Sequence, residues 1–131
     1  MNLKETYNKI AEDWYREVSG HDWWEPGLYT FISLFHENES ILDVGCGPGI
    51  TATYFIKSNL NVLGIDFSEG MIEIAKREVP EGKFLVMDLH EIDKIHESFD
   101  GICLQNVLLH LPKNQVENTL KNIVYNCLYN E

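Results

Sequence analysis

The fold of this chain is decided by one stretch, Ile41-Leu42-Asp43-Val44-Gly45-Cys46-Gly47-Pro48-Gly49. Its first four residues are mostly apolar and β-forming, and three alternating glycines then turn the chain abruptly. A helical pattern follows from Thr51 to Ser58. A strand, a glycine turn and a helix in this order predict a small concave site. Glycines let a ligand approach the main chain, and the N–H groups at the start of the helix point into the site.

Predicted strands and helices alternate along the rest of the chain. This alternation indicates βαβ units and a parallel sheet with helices on both faces. Right-handed crossovers give the strand order 3-2-1-4. The predicted fold class is therefore α/β, a Rossmann-like parallel sheet whose switch point lies at the glycine turn. The strands are expected at 41–44, 62–65, 83–87 and 99–104, and helices at 3–18, 51–58, 69–78 and after Pro112.

Two further helical segments have apolar faces that predict how they pack. The second helix begins at Pro26, which suits a first helical turn. Its predicted buried face is Leu28, Phe31, Ile32, Leu34 and Phe35. The predicted buried face of the last helix is Val116, Leu120, Ile123, Val124 and Cys127. Gly20 is expected to end the first helix.

The composition excludes several classes of function. The formal net charge is −11 with no basic stripe, so a nucleic-acid partner is not expected. No apolar run approaches the ~20 residues of a membrane span, and the N-terminus shows no secretory signal. Cys46, Cys103 and Cys127 lack metal-ligand spacing, so we expect no metal and reduced thiols in a cytoplasmic protein.

The glycine spacing restricts the ligand. In a dinucleotide-binding G-x-G-x-x-G turn that starts at Gly45, the third glycine would stand at position 50, which is Ile50. Here it comes one residue early, at Gly49, and Pro48 lacks the N–H that a phosphate loop would use. The turn therefore predicts a ligand without a pyrophosphate. The alternative is a tight turn that binds nothing.

Three carboxylates lie in or directly after predicted strands. Asp66 follows Gly45 by 21 positions and can accept hydrogen bonds from ribose hydroxyls, or act as a turn or N-cap residue. Ser68 is itself a good N-cap, which favours the ribose role. Asp88 can accept from an adenine amino group or be a solvated turn residue. Asp43 lies within a buried strand and needs donors, either loop amides or a ligand ammonium.

These segments resemble class I S-adenosylmethionine (SAM)-dependent methyltransferases. The glycine stretch is similar to their first motif, and Val62-Leu63-Gly64-Ile65-Asp66-Phe67-Ser68-Glu69-Gly70-Met71 to their second-strand motif. Residues 84–88 and 99–111 resemble the third-strand and fourth-strand motifs. Residues 7–15 resemble the lid helix of the small-molecule branch. The resemblance covers nearly the whole chain as a single domain, with a helical lid at 1–37 and an α/β core at 41–131.

The resemblance implies a site for SAM and its product S-adenosylhomocysteine. Its residues form four groups by the part of the cofactor they hold or cover. The methionine moiety is assigned to Asp43, Gly45, Cys46, Gly47 and Gly49. The ribose and adenine are assigned to Asp66, Phe67, Met71, Met87, Asp88 and Leu89. Gln105 and Asn106 are placed near the reactive methyl, and Tyr7 or Tyr15 over the cofactor.

The implied chemistry asks little of side chains, because the sulfonium is already an activated methyl donor. A base is needed only if the acceptor must lose a proton. His110 is the candidate, with packing or capping at a helix start as the alternative. An Asn/Asp-Pro-Pro-Tyr signature of amino methylation on nucleic acids is missing, which favours a small-molecule acceptor. Trp23-Trp24 either lines its pocket or packs in the core.

The chain departs from the family pattern after the fourth strand, since the family sheet has seven. We therefore expect a C-terminally truncated domain and a homodimer formed through the exposed edge of the fourth strand or the last helix. Three hypotheses compete. The first is a small-molecule methyltransferase, and the second a catalytically impaired domain that binds SAM or S-adenosylhomocysteine. The third, a nucleotide-dependent oxidoreductase, is disfavoured by the glycine spacing.

Overall fold

The computed structural model describes residues 2–18, 25–105 and 111–128. Helices and strands alternate after two N-terminal helices, as the sequence predicts. The helices are α1 (Leu3–Val18), α2 (Glu25–Ile32), α3 (Ile50–Lys57), α4 (Glu69–Glu78) and α5 (Lys113–Leu128), with a 3-10 helix at Leu89–Lys94. The strands are β1 (Ser40–Val44), β2 (Asn61–Asp66), β3 (Lys83–Val86) and β4 (Gly101–Leu104). The predicted end of the first helix at Gly20 and the Trp23-Trp24 pair lie outside the described residues.

The four strands form one parallel sheet in the order β3-β2-β1-β4. This confirms the predicted α/β class and strand order. The fourth strand begins later than predicted, at Gly101. Phe99 does not pair with β1, because its N–H donates to the Cys127 carbonyl at the end of α5 (2.7 Å).

Side chains of successive strand residues point to opposite faces of the sheet, and each face has its own core. One core packs beneath α2, α3 and α4 and includes Leu28, Ile41, Phe55, Val62 and Phe84. The other packs beneath the 3-10 helix and α5 and includes Leu42, Ile65, Ile92, Ile123 and Cys127. Helix α1 lies outside both cores and packs on α4. Within the predicted lid at 1–37, α2 is therefore part of the sheet core and α1 is not.

The prediction that Leu34 and Val124 are buried is wrong. Leu34 is 71% exposed because α2 ends at Ile32 and the chain then tightens into a turn, with the Leu34 N–H donating to the Phe31 carbonyl. Val124 is 39% exposed because α5 turns only a narrow stripe toward the sheet, in which Ile123 and Cys127 are fully covered. Helical spacing predicts a face, whereas the width of the buried part depends on what covers it.

A glycine substitution tests how tightly the first core is packed. We expect Gly64→Ala to destabilise the fold by ~1–3 kcal/mol, since an added Cβ would lie 2.7 Å from Phe84 Cδ1 and 2.9 Å from Cys46 Cβ. The matched control is Gly27→Ala in α2, where no heavy atom lies within 4 Å of the added carbon. That change should stabilise the helix by ~0.5–1 kcal/mol. Urea unfolding measures both; equal effects would contradict the packing described.

Candidate functional site

The candidate site lies at the carboxyl edge of the sheet. All four strands are parallel, so the residues that follow them meet along one edge. The glycine turn follows β1, Asp66 ends β2, Asp88 follows β3 and Gln105 follows β4. The topology therefore brings the predicted cofactor residues of four separate segments to the same edge.

The glycine turn needs glycine for its backbone conformation. Gly45, Gly47 and Gly49 have φ angles of 72°, 54° and 89°, in the left-handed region that side chains disfavour. Gly49 is also crowded, since an added Cβ would lie 2.9 Å from Val79 Cγ2. Around Gly47, by contrast, no heavy atom lies within 4 Å of an added Cβ. Gly47 thus borders open space, where a ligand can approach the main chain.

Asp66 holds this turn in place. Its Oδ2 accepts the N–H of Gly47 (2.9 Å), and its Oδ1 accepts the N–H of Ser68 (3.0 Å). Ser68 is the N-cap of α4, as predicted, with its Oγ accepting the N–H of Met71 (3.2 Å). Asp66 is therefore a half-buried turn residue as well as a candidate ribose ligand, because each carboxylate oxygen can accept more than one bond. The ribose role stays a prediction.

Asp43 is the unusual group of the site. It is 2% exposed, and its Oδ2 has no hydrogen-bond partner among the described residues. The loop amides that were one predicted partner bond elsewhere: the N–H groups of Gly45 and Cys46 both donate to the Ile65 carbonyl, and that of Gly47 to Asp66. Burial, reinforced by the nearby charge of Asp66, raises the pKa of Asp43 to about 7.

The three thiols of the chain are poor nucleophiles. Burial, together with the charges of Asp43 and Asp66, raises the pKa of Cys46 well above its usual value. Burial also raises the pKa of Cys127 to about 11, and that of Cys103 further. Thiols at neutral pH are then protonated. Within the described ranges, no group of three or more His, Cys, Asp or Glu side chains is arranged to hold a metal ion.

The N-terminal helix reaches this edge beside Phe67, the residue after Asp66. The Tyr7 ring lies 5.9 Å from the Phe67 ring, centroid to centroid. Tyr7 and Tyr15 also pack on a small cluster of Ala11, Met71 and Ile74 between α1 and α4. Met71 is 2% exposed and is therefore a core residue of that cluster. Contact of any of these side chains with a ligand stays a prediction.

On the β3 side, Asp88 has a structural role. It is the N-cap of the 3-10 helix, and its Oδ1 accepts the N–H of His90 (3.0 Å). Glu91 completes a capping box by accepting the N–H of Asp88 (3.2 Å). Met87 and Leu89 pack partly against the α5 side of the sheet. Asp88 therefore caps a helix whether or not it also contacts a ligand. The contacts of Met87, Asp88 and Leu89 with adenine stay predictions.

On the β4 side, Gln105 is held by a residue that sequence reasoning missed. The hydroxyl of Thr51, in the first turn of α3, donates to Gln105 Oε1 (2.9 Å). One turn further along α3, the Tyr54 hydroxyl donates to Glu25 at the start of α2. No motif in the sequence indicates either pair, because each joins segments far apart in the chain. Asn106 and His110, the other predicted residues here, lie outside the described residues.

The comparisons with known proteins agree with this geometry. A family model described as a methyltransferase domain matches residues 41–127, which is more than half of the chain. The chain therefore belongs to the methyltransferase-domain family, and the resemblance to class I SAM-dependent methyltransferases is confirmed.

Individual relatives show the same relationship. The chain is 32% identical to the ubiquinone biosynthesis O-methyltransferase of Hydrogenovibrio crunogenus over 116 residues, covering 81% of this chain and 48% of that protein. Its fold is similar to a TehB-like SAM-dependent methyltransferase from Corynebacterium glutamicum (24% identity, TM-score 0.78, 95% of this chain and 68% of that one). It is also similar to the Synechocystis magnesium protoporphyrin IX methyltransferase with bound SAM (19% identity, TM-score 0.77, 95% and 70%).

The matches cover only part of the length of the relatives. The chain spans about half the length of the curated relatives it matches. Among the helices of the described residues, none combines the length and the apolar character that crossing a membrane requires.

The buried carboxyl of Asp43 makes the stability of the fold depend on pH. Its folded-state pKa of about 7 exceeds its usual value of 3.8, so the folded chain keeps a proton that the unfolded chain releases. The associated stability is present below about pH 4 and is lost as the pH rises to about 7.

Asp43→Asn, which cannot ionise, should therefore be more stable than the wild type at pH 8 by ~2–4 kcal/mol, because each pKa unit is worth about 1.4 kcal/mol. The difference should shrink toward pH 4.5. Urea unfolding of both proteins at pH 4.5, 6 and 8 measures this. Parallel stability curves for the two proteins would contradict the buried, unpartnered carboxyl.

Proposed function

We propose that this chain binds SAM, and that the protein transfers the methyl group of SAM to a small-molecule acceptor. One observation above the others supports this function. Asp43, a buried carboxylate whose Oδ2 has no donor among the described residues, stands two positions before a glycine turn whose middle glycine, Gly47, borders open space. A ligand with an ammonium group fits this arrangement, since a cation supplies the partner that the buried acid lacks.

The residues present fit the rest of SAM as well. Asp43 and the turn at Gly45 to Gly49 would hold the methionine end, and Asp66 the ribose hydroxyls. Phe67, Met87, Asp88 and Leu89 would flank the adenine, with Tyr7 or Tyr15 above it. Bound SAM supplies a methyl group already activated by the sulfonium.

The side chains then contribute position and exclusion of water rather than covalent chemistry. The three thiols are buried and protonated, so they are not nucleophiles in this proposal. Hydrogen bonds from the turn to Asp66 and to the Ile65 carbonyl restrain the backbone of the glycine turn to one conformation. Holding the activated donor rigidly in line with the acceptor is the main way in which such a site can accelerate methyl transfer. Gln105, held by Thr51, and Asn106 would border the acceptor side.

A small-molecule acceptor is supported by charge and by the relatives. With a net charge of −11, the chain repels phosphate backbones. The similar proteins are named as methyltransferases of ubiquinone biosynthesis and of magnesium protoporphyrin IX.

We place the protein in the cytoplasm, supported by its three free thiols.

Cofactor binding is tested by calorimetry with SAM and S-adenosylhomocysteine. We expect wild-type binding, and a loss of roughly 10–100-fold in affinity for Asp43→Asn and Asp66→Asn, since each removes a charged acceptor worth about 1.5–3 kcal/mol. The matched control is Asp100→Asn. Asp100 accepts the Ser40 N–H at the opposite, amino edge of the sheet (2.8 Å), so its loss should leave affinity unchanged.

The same titrations separate the competing functions. Absence of binding at millimolar SAM would sink the proposal, and preferential binding of NAD⁺ would favour the oxidoreductase hypothesis instead. Transfer of radiolabelled methyl from SAM to small phenolic, amine and carboxylate acceptors then distinguishes a methyltransferase from a domain that only binds the cofactor.

We also propose a homodimer through the edge of β4 or through α5. Within the described residues β4 pairs only with β1, which leaves its other edge open. Tyr125 of α5 is 72% exposed. One chain has a mass of 15.2 kDa, and light scattering should give twice that value. The mass of a single chain at micromolar concentration would refute the dimer.

A further inference from the structure

Helix α1 is fastened to the start of α4 by one side chain, Asn8. Its Oδ1 accepts two hydrogen bonds, from the Ser68 hydroxyl (2.5 Å) and from the Gly70 N–H (2.9 Å). Its Nδ2 donates to Glu69 Oε2 (2.9 Å). Asn8 thus contacts three consecutive residues of the first turn of α4, from a position 60 residues away in the chain.

The backbones of the two helices lie close together at the same place. A Cβ added to Gly70 would lie 3.1 Å from the Asn8 carbonyl oxygen and 3.2 Å from Ala11 Cβ. Glycine at position 70 therefore lets α1 lie directly on the backbone of α4. Lys4 also pairs with Glu69 (2.8 Å), and with the Asn8 amide it lowers the pKa of Glu69 to about 2. Glu69 is thus ionised when Asn8 donates to it.

From Asn8, an unbroken route of hydrogen bonds runs to the glycine turn. The Ser68 hydroxyl donates to Asn8, and the Ser68 N–H donates to Asp66 Oδ1 (3.0 Å). The other carboxylate oxygen of Asp66 accepts the Gly47 N–H (2.9 Å). Ser68 is 0% exposed when α1 is docked, so Asn8, and not bulk water, is the partner that its hydroxyl donates to. Each group on the route is held by the next.

We propose that Asn8 is a positioning residue that couples the docking of α1 to the shape of the nucleoside side of the SAM site. When α1 is docked, Asn8 holds Ser68, and Ser68 holds Asp66 in the orientation that supports the glycine turn. The adjacent Tyr7 is brought against Phe67 by the same docking. Ligand binding and docking of α1 then favour each other, because coupling between two sites is reciprocal. This inference rests on the proposed function.

The test combines binding with hydrogen exchange, using Asn8→Ala in the full chain. Asn8→Ala leaves the buried Ser68 hydroxyl and the Gly70 N–H without their partner, so S-adenosylhomocysteine should bind roughly 10–50-fold more weakly. In the wild type, saturating S-adenosylhomocysteine should slow amide exchange both in 45–49 and in α1. In Asn8→Ala the slowing in 45–49 should remain, whereas the slowing in α1 should be much smaller than in the wild type.

Two further variants separate coupling from general damage to the helix contact. Glu12→Gln breaks the exposed ion pair with Arg77 (2.8 Å), which joins the same two helices away from Ser68. It should change affinity by less than about 2-fold. Asn8→Asp keeps the oxygen that Ser68 and Gly70 use but sets a carboxylate against Glu69, so it should weaken binding. Adding Glu69→Gln should restore it.

The outcomes are distinct. If the wild type does not bind S-adenosylhomocysteine, the proposed function and this coupling both fail. If the wild type binds and Asn8→Ala binds equally well, or if ligand slows exchange in its α1 as strongly as in the wild type, only the coupling is overturned. Equal weakening by Glu12→Gln and Asn8→Ala would also overturn it, since the effect would then belong to the helix contact as a whole.

Discussion

The bond on which the site depends is the one from the Gly47 N–H to the Asp66 carboxylate (2.9 Å). Gly45, Gly47 and Gly49 of the glycine turn have positive φ, and glycine is the residue with the most backbone freedom to lose when such a conformation is fixed. Asp66 supplies the missing restraint from the neighbouring strand, and its second oxygen ties the same group to the first turn of α4. One carboxylate therefore joins β1, β2, α3 and α4 at the point where a ligand would bind.

The site retains an electrostatic cost that a purely structural turn would not need. Asp43 is buried near Asp66, without a cation or a donor for its Oδ2 in the described part of the chain. Such a group destabilises the fold when ionised, and groups of this kind concentrate at functional sites. A cationic ligand would offset the cost. The ionised carboxyl of Asp43 thus destabilises the fold when no ligand is bound, and it would attract a cationic ligand.

Much of the architecture could be predicted because it depends on local patterns. The strand order follows from the alternation of strands and helices, and the glycine turn from the need for positive φ. What escaped prediction depends on pairs distant in sequence, such as Thr51 with Gln105 and Asn8 with Ser68. Asp88 is a different case, since its capping box with Glu91 is local in sequence but is recognised only once the start of the 3-10 helix is known.

By itself, the sequence determined the fold class, the strand order and the edge of the sheet at which the candidate residues after the strands meet. Periodicity and glycine spacing are properties of neighbouring residues, so they are legible without a structure. The tertiary structure alone decided which polar groups satisfy one another. It showed that the loop amides donate to Ile65 and Asp66, and that Asp43 Oδ2 has no partner in the described part of the chain. Hydrogen-bond partners depend on positions within a few tenths of an ångström between segments that only the packed fold brings together.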